Sequence, residues 1–241
     1  MRRKSGGNLL PVWMLLPGGI ALGLRRALYA ACVDAKGLLL RGHPLEIALL
    51  LLSGIMLLLA AVIAWKKETP ETDSGNFLGA FGNIAAGAGI LATVLTSMTG
   101  AGSYLETAWY YLGLAAPVCL LLAGTARLFG KRPFFLLHVV PCLFFLVHIV
   151  TRYQLWSSQP QIQEYLFALL GAMALMFYGF YTAAGEADCG SPRMRFGMGL
   201  SALYLCMAEL ARSSCPALYL GGFFWVLTDL CSLRKAAPEK K

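Results

Sequence analysis

Long apolar runs separated by short polar segments dominate this chain and limit what it can fold into. A helix needs about 20 predominantly apolar residues to cross the hydrocarbon core of a bilayer. Runs of that length fill nearly the whole chain and predict an all-α, polytopic transmembrane helix bundle. The clear runs are residues 46–65, 76–98, 107–126, 134–150, 165–184, 196–212 and 216–231.

Composition supports a membrane protein and leaves no room for a separate soluble domain. The chain is 58% hydrophobic and 13% charged, whereas soluble domains carry about 25% charged residues. The net charge of +8 fits the Lys and Arg excess of cytoplasmic loops, which orients membrane proteins. No basic patch belongs to a soluble surface, so the predicted partner is the lipid bilayer and not nucleic acid.

The beginning of the chain allows two interpretations. Residues 9–24 are apolar but short, and they contain Pro11, Pro17 and three glycines. They form either a short first span or a re-entrant segment. Residues 25–45 are semi-polar, and we expect them to lie along the membrane surface.

The predicted organisation is therefore one integral membrane domain over residues 1–241. A seven-helix bundle spans 46–233 and a cytoplasmic tail follows at 234–241. Including 9–24 gives eight spans, and excluding it gives seven.

The distribution of Lys and Arg favours eight spans with both termini on the cytoplasmic side of the cell membrane. That arrangement places fourteen basic residues inside and six outside, whereas seven spans give eleven and nine. The six outer residues are Arg25, Arg26, Lys36, Arg41, Arg152 and Arg212.

Glycines and prolines distinguish three of the runs. Gly82, Ala86 and Gly89 recur at helical spacing in the run 76–98. Small residues let helices approach closely in lipid, so we expect this helix to be central in the bundle. Pro117 and Pro141 fall within two other runs and each removes a helical hydrogen bond.

Polar residues near the predicted outer face form the first candidate ligand site. Ionisable side chains are costly in a membrane, so each is a functional candidate. The alternative is an ion pair between Glu209 and Arg212 on one helix face, with the aromatic residues anchoring the interface. The candidates are Arg152, Trp156, Glu164, Glu209 and Arg212, with Asp34 and His43 nearby.

Three further residues within the runs are candidates. His138 is three residues before Pro141 and is a candidate ligand contact. Asn83 either contacts a ligand or joins two helices by a hydrogen bond. Asp229 is interpreted as a local charge pair with Arg234 and Lys235 at the membrane surface.

We expect no metal and no cofactor. His138 and His148 are about 80° apart around a helix and roughly 15 Å apart along it, so they do not hold one metal ion together. The seven cysteines are scattered, which is typical neither of a disulfide framework nor of a zinc site.

Two segments carry a resemblance to known sequences. They are R-x3-W-S-x2-P-Q-x-Q-x-Y from Arg152 to Tyr165, and D-x2-GLL-x2-GHP from Asp34 to Pro44. Both resemble a family of uncharacterised bacterial polytopic membrane proteins with no assigned activity. The resemblance implies a bacterial cytoplasmic-membrane protein and gives no substrate.

Three functions remain open on the sequence. The first is a small-molecule transporter or a transport-associated subunit, suggested by the prolines and the Gly-rich helix. The second is a ligand-binding sensor or accessory protein that acts through a partner membrane protein. The third is an intramembrane lipid-modifying enzyme using Glu209, Asp229 and His138, which we expect at different depths. Motifs of zinc proteases, serine hydrolases and P-loop ATPases are missing from the sequence.

Overall fold

The structure is an all-α helical bundle, as the apolar runs predict. This computed structural model describes residues 10–31, 43–66, 70–71, 77–97, 103–157 and 165–235. Two of the candidate residues, Asp34 and Glu164, lie outside the described residues.

The helices follow the predicted runs closely. Two two-residue strands, β1 (Pro70–Glu71) and β2 (Arg234–Lys235), pair antiparallel with Pro70 opposite Lys235. The helices of the described residues are α1 (Leu10–Trp13), α2 (Leu15–Ala31), α3 (Pro44–Lys66), α4 (Phe77–Thr96), α5 (Tyr104–Leu128), α6 (Leu136–Ser157), α7 (Leu166–Glu186), α8 (Pro192–Glu209) and α9 (Pro216–Ser232).

Several helix ends differ from the predicted ones by three residues or more. α2 continues through Arg25 and Arg26 to Ala31, although the apolar run ends at residue 24. α6 continues to Ser157, and α8 ends at Glu209 instead of residue 212. Hydropathy marks where apolar side chains stop, whereas a helix continues as long as its backbone hydrogen bonds do.

Five of the described helices are long and apolar enough to cross a membrane: α3, α4, α5, α6 and α7. α3 has the most exposed apolar surface of the five, since only 22% of its candidate span is buried. Leu51, Leu58 and Trp65 are 63%, 69% and 79% exposed. α2 and α9 have 17 residues each, and α8 carries three charged residues in 18. The count of eight spans therefore stays a prediction.

Close contact between α4 and α9 depends on glycine. A Cβ at Gly82 would collide with the Thr228 side chain and the Trp225 backbone, and one at Gly89 would collide with the Ala217 carbonyl. α4 packs between α9 and α5. The predicted use of small residues for close helix packing is confirmed.

Successive helices from α4 to α8 run antiparallel, and α9 runs antiparallel to α4, so the bundle has two ends. We call the end at the start of α8 the Arg195 end. It also holds the amino ends of α4 and α6 and the carboxyl ends of α5, α7 and α9. We call the opposite end, where α8 finishes, the Glu209 end.

Candidate functional site

A carboxylate in the last turn of α9 is the centre of the most polar part of the bundle. Asp229 is completely buried. Arg127 Nη1 donates to its Oδ1 at 2.7 Å. Arg195 Nη2 and the Tyr178 hydroxyl both donate to Oδ2. Asp229 therefore joins α9 to α5, α7 and α8.

The same network reaches α6 through Glu186, the last residue of α7. Arg127 Nη2 lies 3.3 Å from Glu186 Oε1. Glu186 Oε2 lies 2.7 Å from His138 Nδ1. An ionised carboxylate only accepts hydrogen bonds, so His138 donates from Nδ1 to Glu186. We call these six residues the charge network: Arg127, His138, Tyr178, Glu186, Arg195 and Asp229.

Helix ends bring the charge network together. Arg127 lies in the last turn of α5 and Arg195 in the first turns of α8, both at the Arg195 end. A glycine makes room on the side of α4: a Cβ at Gly79 would lie 3.1 Å from Arg127 Nη1 and 3.6 Å from Asp229 Oδ1. The site therefore depends on the antiparallel packing of these helix ends, and Gly79 lies directly against it.

The network is electrically balanced. Its two guanidinium groups face two carboxylates, and His138 contacts one of these carboxylates, Glu186. Unpaired buried charge is expensive, whereas a paired and hydrogen-bonded set is tolerated. Loss of either carboxylate would leave one buried positive charge in the network without a counter-ion.

Chemically, the network can bind charge and hold a proton. The 2.7 Å contact between Glu186 Oε2 and His138 Nδ1 holds one hydrogen between a carboxylate and an imidazole. No group of three His, Cys, Asp or Glu residues able to hold a metal ion occurs in the described part of the chain.

Aromatic side chains pack against the network around His138. The His138 ring stacks on Trp225 with centroids 6.0 Å apart and planes 10° apart. Tyr178 meets the same indole edge-on at 5.3 Å. Trp225 is therefore the packing partner of two network residues.

At the opposite end of α8 the arrangement is simpler. Arg25 Nη1 forms a buried ion pair with Glu209 and donates to the Ala208 carbonyl at 3.0 Å. Its guanidinium lies 5.0 Å from the centre of the Phe167 ring. This pair ties α2 to the end of α8.

The predicted ion pair between Glu209 and Arg212 is wrong. α8 ends at Glu209, so Arg212 is not on the same helical face. Glu209 pairs with Arg25, and the Arg212 guanidinium lies 4.3 Å from the centre of the Tyr29 ring. Only the tertiary structure brings residue 25 to residue 209.

The other candidates from the outer face lie near this end without forming one hydrogen-bonded set among the described residues. Arg152 Nη2 lies 3.3 Å from Cys215 Sγ. Trp156 stacks on Tyr165 with centroids 4.2 Å apart. His43 accepts from the Leu45 backbone at the start of α3. Their role in ligand binding stays a prediction.

Two candidates lie in the other half of the bundle. His138 belongs to the charge network, and Asn83 of α4 faces α5, where its Cβ lies 3.5 Å from the position of a Cβ built at Gly124. The Asn83 amide has no hydrogen-bond partner among the described residues. It therefore does not form the interhelical hydrogen bond that one interpretation of this residue expected.

Asp229 also differs from its predicted setting. Its interpretation as a surface pair with Arg234 and Lys235 is wrong, because it is buried and bound by Arg127 and Arg195. His138 and Asp229 also share one network, although the sequence suggested different depths.

Four network residues were not singled out from the sequence: Arg127, Tyr178, Glu186 and Arg195. In the sequence the two arginines look like ordinary loop charges that orient the chain. A usable signal existed, since Arg127 and Glu186 each fall within a turn of the end of an apolar run.

Comparisons with family models, with curated proteins and with solved structures gave no match.

Proposed function

We propose that this chain is a membrane-embedded small-molecule transporter or a transport-associated subunit. We further propose that the charge network is its moving contact, the set of ion pairs that breaks and re-forms as the helices shift. The observation that carries the proposal is a balanced set of two arginines and two carboxylates that, together with His138, joins five helices. Ionisable residues inside a helical bundle mark substrate or proton pathways in membrane proteins.

The network suits a contact that opens and closes. Its members come from five separate helices, so a small rotation of one helix would separate several pairs at once. Interfaces of this kind have discrete alternative arrangements. Pro117 and Pro141 lie inside α5 and α6, two of the helices concerned, and each weakens the helix at one position.

A transport assay with a mixture of solutes tests the proposal. The purified protein is reconstituted into vesicles, which are exposed to a defined metabolite mixture, and the internal contents are identified by mass spectrometry. We expect at least one small molecule to enter faster than it enters protein-free vesicles.

Two variants give the assay its control. Glu186→Gln removes one network charge and should slow entry of that molecule. Asp188→Asn, two residues further along the chain, changes an exposed carboxylate that pairs with Arg132, and it should leave entry unchanged. The proposal fails if no solute enters faster than in protein-free vesicles.

We infer that the Arg195 end faces the cytoplasm, with both termini on that side of a cell membrane. Of the described Lys and Arg residues, eight belong to segments at this end and four to segments at the Glu209 end, the asymmetry that orients membrane proteins. In a variant depleted of its native cysteines, of which Cys189 is exposed, a single cysteine at Ser191 should react with impermeant thiol reagents from inside only, and one at Ser103 from outside only. The reverse pattern would overturn the orientation.

A ligand-binding sensor or accessory protein is the second candidate. Its support is the Glu209 end, where Arg25 and Arg212 both lie over the Tyr29 ring. On that function a ligand binds at this end and a separate membrane protein receives the signal. In the vesicle assay a sensor would bind a molecule from the mixture without admitting it.

A further inference from the structure

Three buried polar groups at the charge network have no hydrogen-bond partner among the described residues. They are both amide atoms of Asn83, Nε2 of His138 and Nε1 of Trp225, and all three residues are completely buried. Buried polar atoms are nearly always paired, so each exception calls for an explanation. Three exceptions in one region call for a common explanation.

The three groups lie at one level of the bundle. Trp225 is one helical turn before Asp229 on α9, and its ring stacks on His138 of α6. Asn83 is one turn after Gly79, the α4 residue that lies against Arg127 and Asp229. Gly82, the residue before Asn83, packs on the Trp225 backbone. All three side chains therefore lie within about one turn of the charge network.

Their chemistry defines what they can bind. Trp225 offers an N–H donor, and the Asn83 amide offers donors and an acceptor. His138 Nδ1 donates to Glu186, and in the tautomer that carries its hydrogen on Nδ1 alone, Nε2 is an acceptor. The three residues thus offer both donors and acceptors at one level of the bundle.

The occupant should carry no charge. The neighbouring network already balances two cations with two anions, so an added ion would lack a counter-ion in the interior of the bundle. A small neutral group that donates and accepts hydrogen bonds fits this requirement, and a primary amide does both through one planar group.

We propose that Asn83, His138 and Trp225 form a binding site for a small uncharged primary amide. The inference rests on the proposed transport function, which gives the solute a route into the bundle. It adds the chemical class of that solute. A hydrogen-bonding site next to the charge network would also couple the presence of the solute to the state of the network.

The experiment measures binding and passage separately, with acetamide as the probe. Binding to the full-length protein in lipid nanodiscs is followed by saturation-transfer NMR. Passage is followed by the swelling of reconstituted vesicles under an acetamide gradient, recorded by light scattering. We expect acetamide to bind and to enter vesicles faster than it enters protein-free ones.

Asn83→Leu is the main variant. Leucine has a similar size and removes the unpaired amide, so the folded protein should be at least as stable. Acetamide binding should weaken about tenfold, the factor that corresponds to one lost hydrogen bond of about 1.4 kcal/mol. Trp225→Phe removes the N–H donor and keeps a ring against His138, and it is the second variant if Asn83→Leu does not fold.

The matched control is Ser53→Ala. Ser53 is a buried polar residue whose hydroxyl lies 2.9 Å from that of Tyr204, away from the three residues. This variant should bind and admit acetamide as the unaltered protein does. Equal losses in Ser53→Ala and Asn83→Leu would overturn the site, because a general effect on folding would explain both.

The remaining outcomes separate the site from the transport function. Binding that Asn83→Leu weakens, without passage, supports the site and contradicts transport of this solute. Passage that Asn83→Leu leaves unchanged overturns the site and leaves transport in place. The amide proposal is overturned if the protein does not bind acetamide. It is also overturned if Asn83→Leu slows only water flow, measured under a sucrose gradient, and leaves acetamide entry unchanged.

Discussion

The two ends of α8 hold their charges in different ways. At its start, Arg195 shares Asp229 with a second arginine and a tyrosine, and the network continues through Glu186 to α6. At its end, Glu209 forms an ion pair with Arg25 of α2, which also lies over aromatic rings. One end is a network of five helices and the other is a bridge between two.

This difference has a consequence for stability and for motion. Removing one charged residue from a network disturbs the pairing of several other charges. Removing one from a single ion pair disturbs only its partner. Substitutions that remove a charge should therefore lower the free energy of unfolding more at the Arg195 end than at the Glu209 end. It is also the end where one change can influence many helices, which is what a moving contact in a transporter requires.

The largest effect should follow Asp229→Asn. Arg127 and Arg195 would then have Glu186 as the remaining counter-charge of the network, and we expect the free energy of unfolding to fall by about 3–5 kcal/mol. Reversible unfolding in mixed micelles measures the loss. Asp188→Asn, in a pair whose side chains are 67% and 78% exposed, should change stability by less than about 1 kcal/mol. Similar losses in both variants would contradict the network.

A smaller loss should follow Glu209→Gln. Arg25 keeps its hydrogen bond to the Ala208 carbonyl and its contacts with two aromatic rings, so we expect a decrease of about 1–3 kcal/mol. The double variant Arg25→Leu with Glu209→Leu should recover most of that loss, because a single buried pair can be replaced by apolar side chains. If Glu209→Gln costs more than Asp229→Asn, the contrast between the two ends is wrong.

Two tyrosines test the same contrast on a finer scale. Tyr178 donates to the ionised Asp229, whereas Tyr219 donates to the Ala168 backbone carbonyl at 2.8 Å. Hydrogen bonds to charged groups are stronger, so Tyr178→Phe should cost about 1.5 kcal/mol and Tyr219→Phe about 1 kcal/mol. The same unfolding assay gives both values. A larger cost for Tyr219→Phe would show that the hydrogen bond from Tyr178 to Asp229 is not the stronger of the two.

The smallest effect should follow Arg212→Gln at the Glu209 end. This side chain lies over the Tyr29 ring and Glu209 pairs elsewhere, so we expect a loss of about 0.5–1 kcal/mol from the missing cation–π contact. Arg212→Lys should keep part of that contact. A loss above about 2 kcal/mol would instead support an ion pair with Glu209.

Much of the fold was predictable from the sequence because hydropathy acts locally. Seven apolar runs correspond to α3 to α9 within a few residues at most ends, and the glycines of α4 predicted its close packing. The candidate site was predictable only in part. His138 was singled out, but Arg127 and Arg195 look like ordinary loop charges in a sequence of this kind.

That this protein is a bundle of apolar helices follows from its sequence alone, because the length and apolar character of each run decide whether it can sit in a bilayer. Which charges meet depends on the tertiary packing. Asp229 joins residues that are 34, 51 and 102 positions away along the chain, and Arg25 joins one that is 184 away. Partners so distant are chosen by which helix ends lie side by side, and helix packing depends on the shapes of all the facing side chains together.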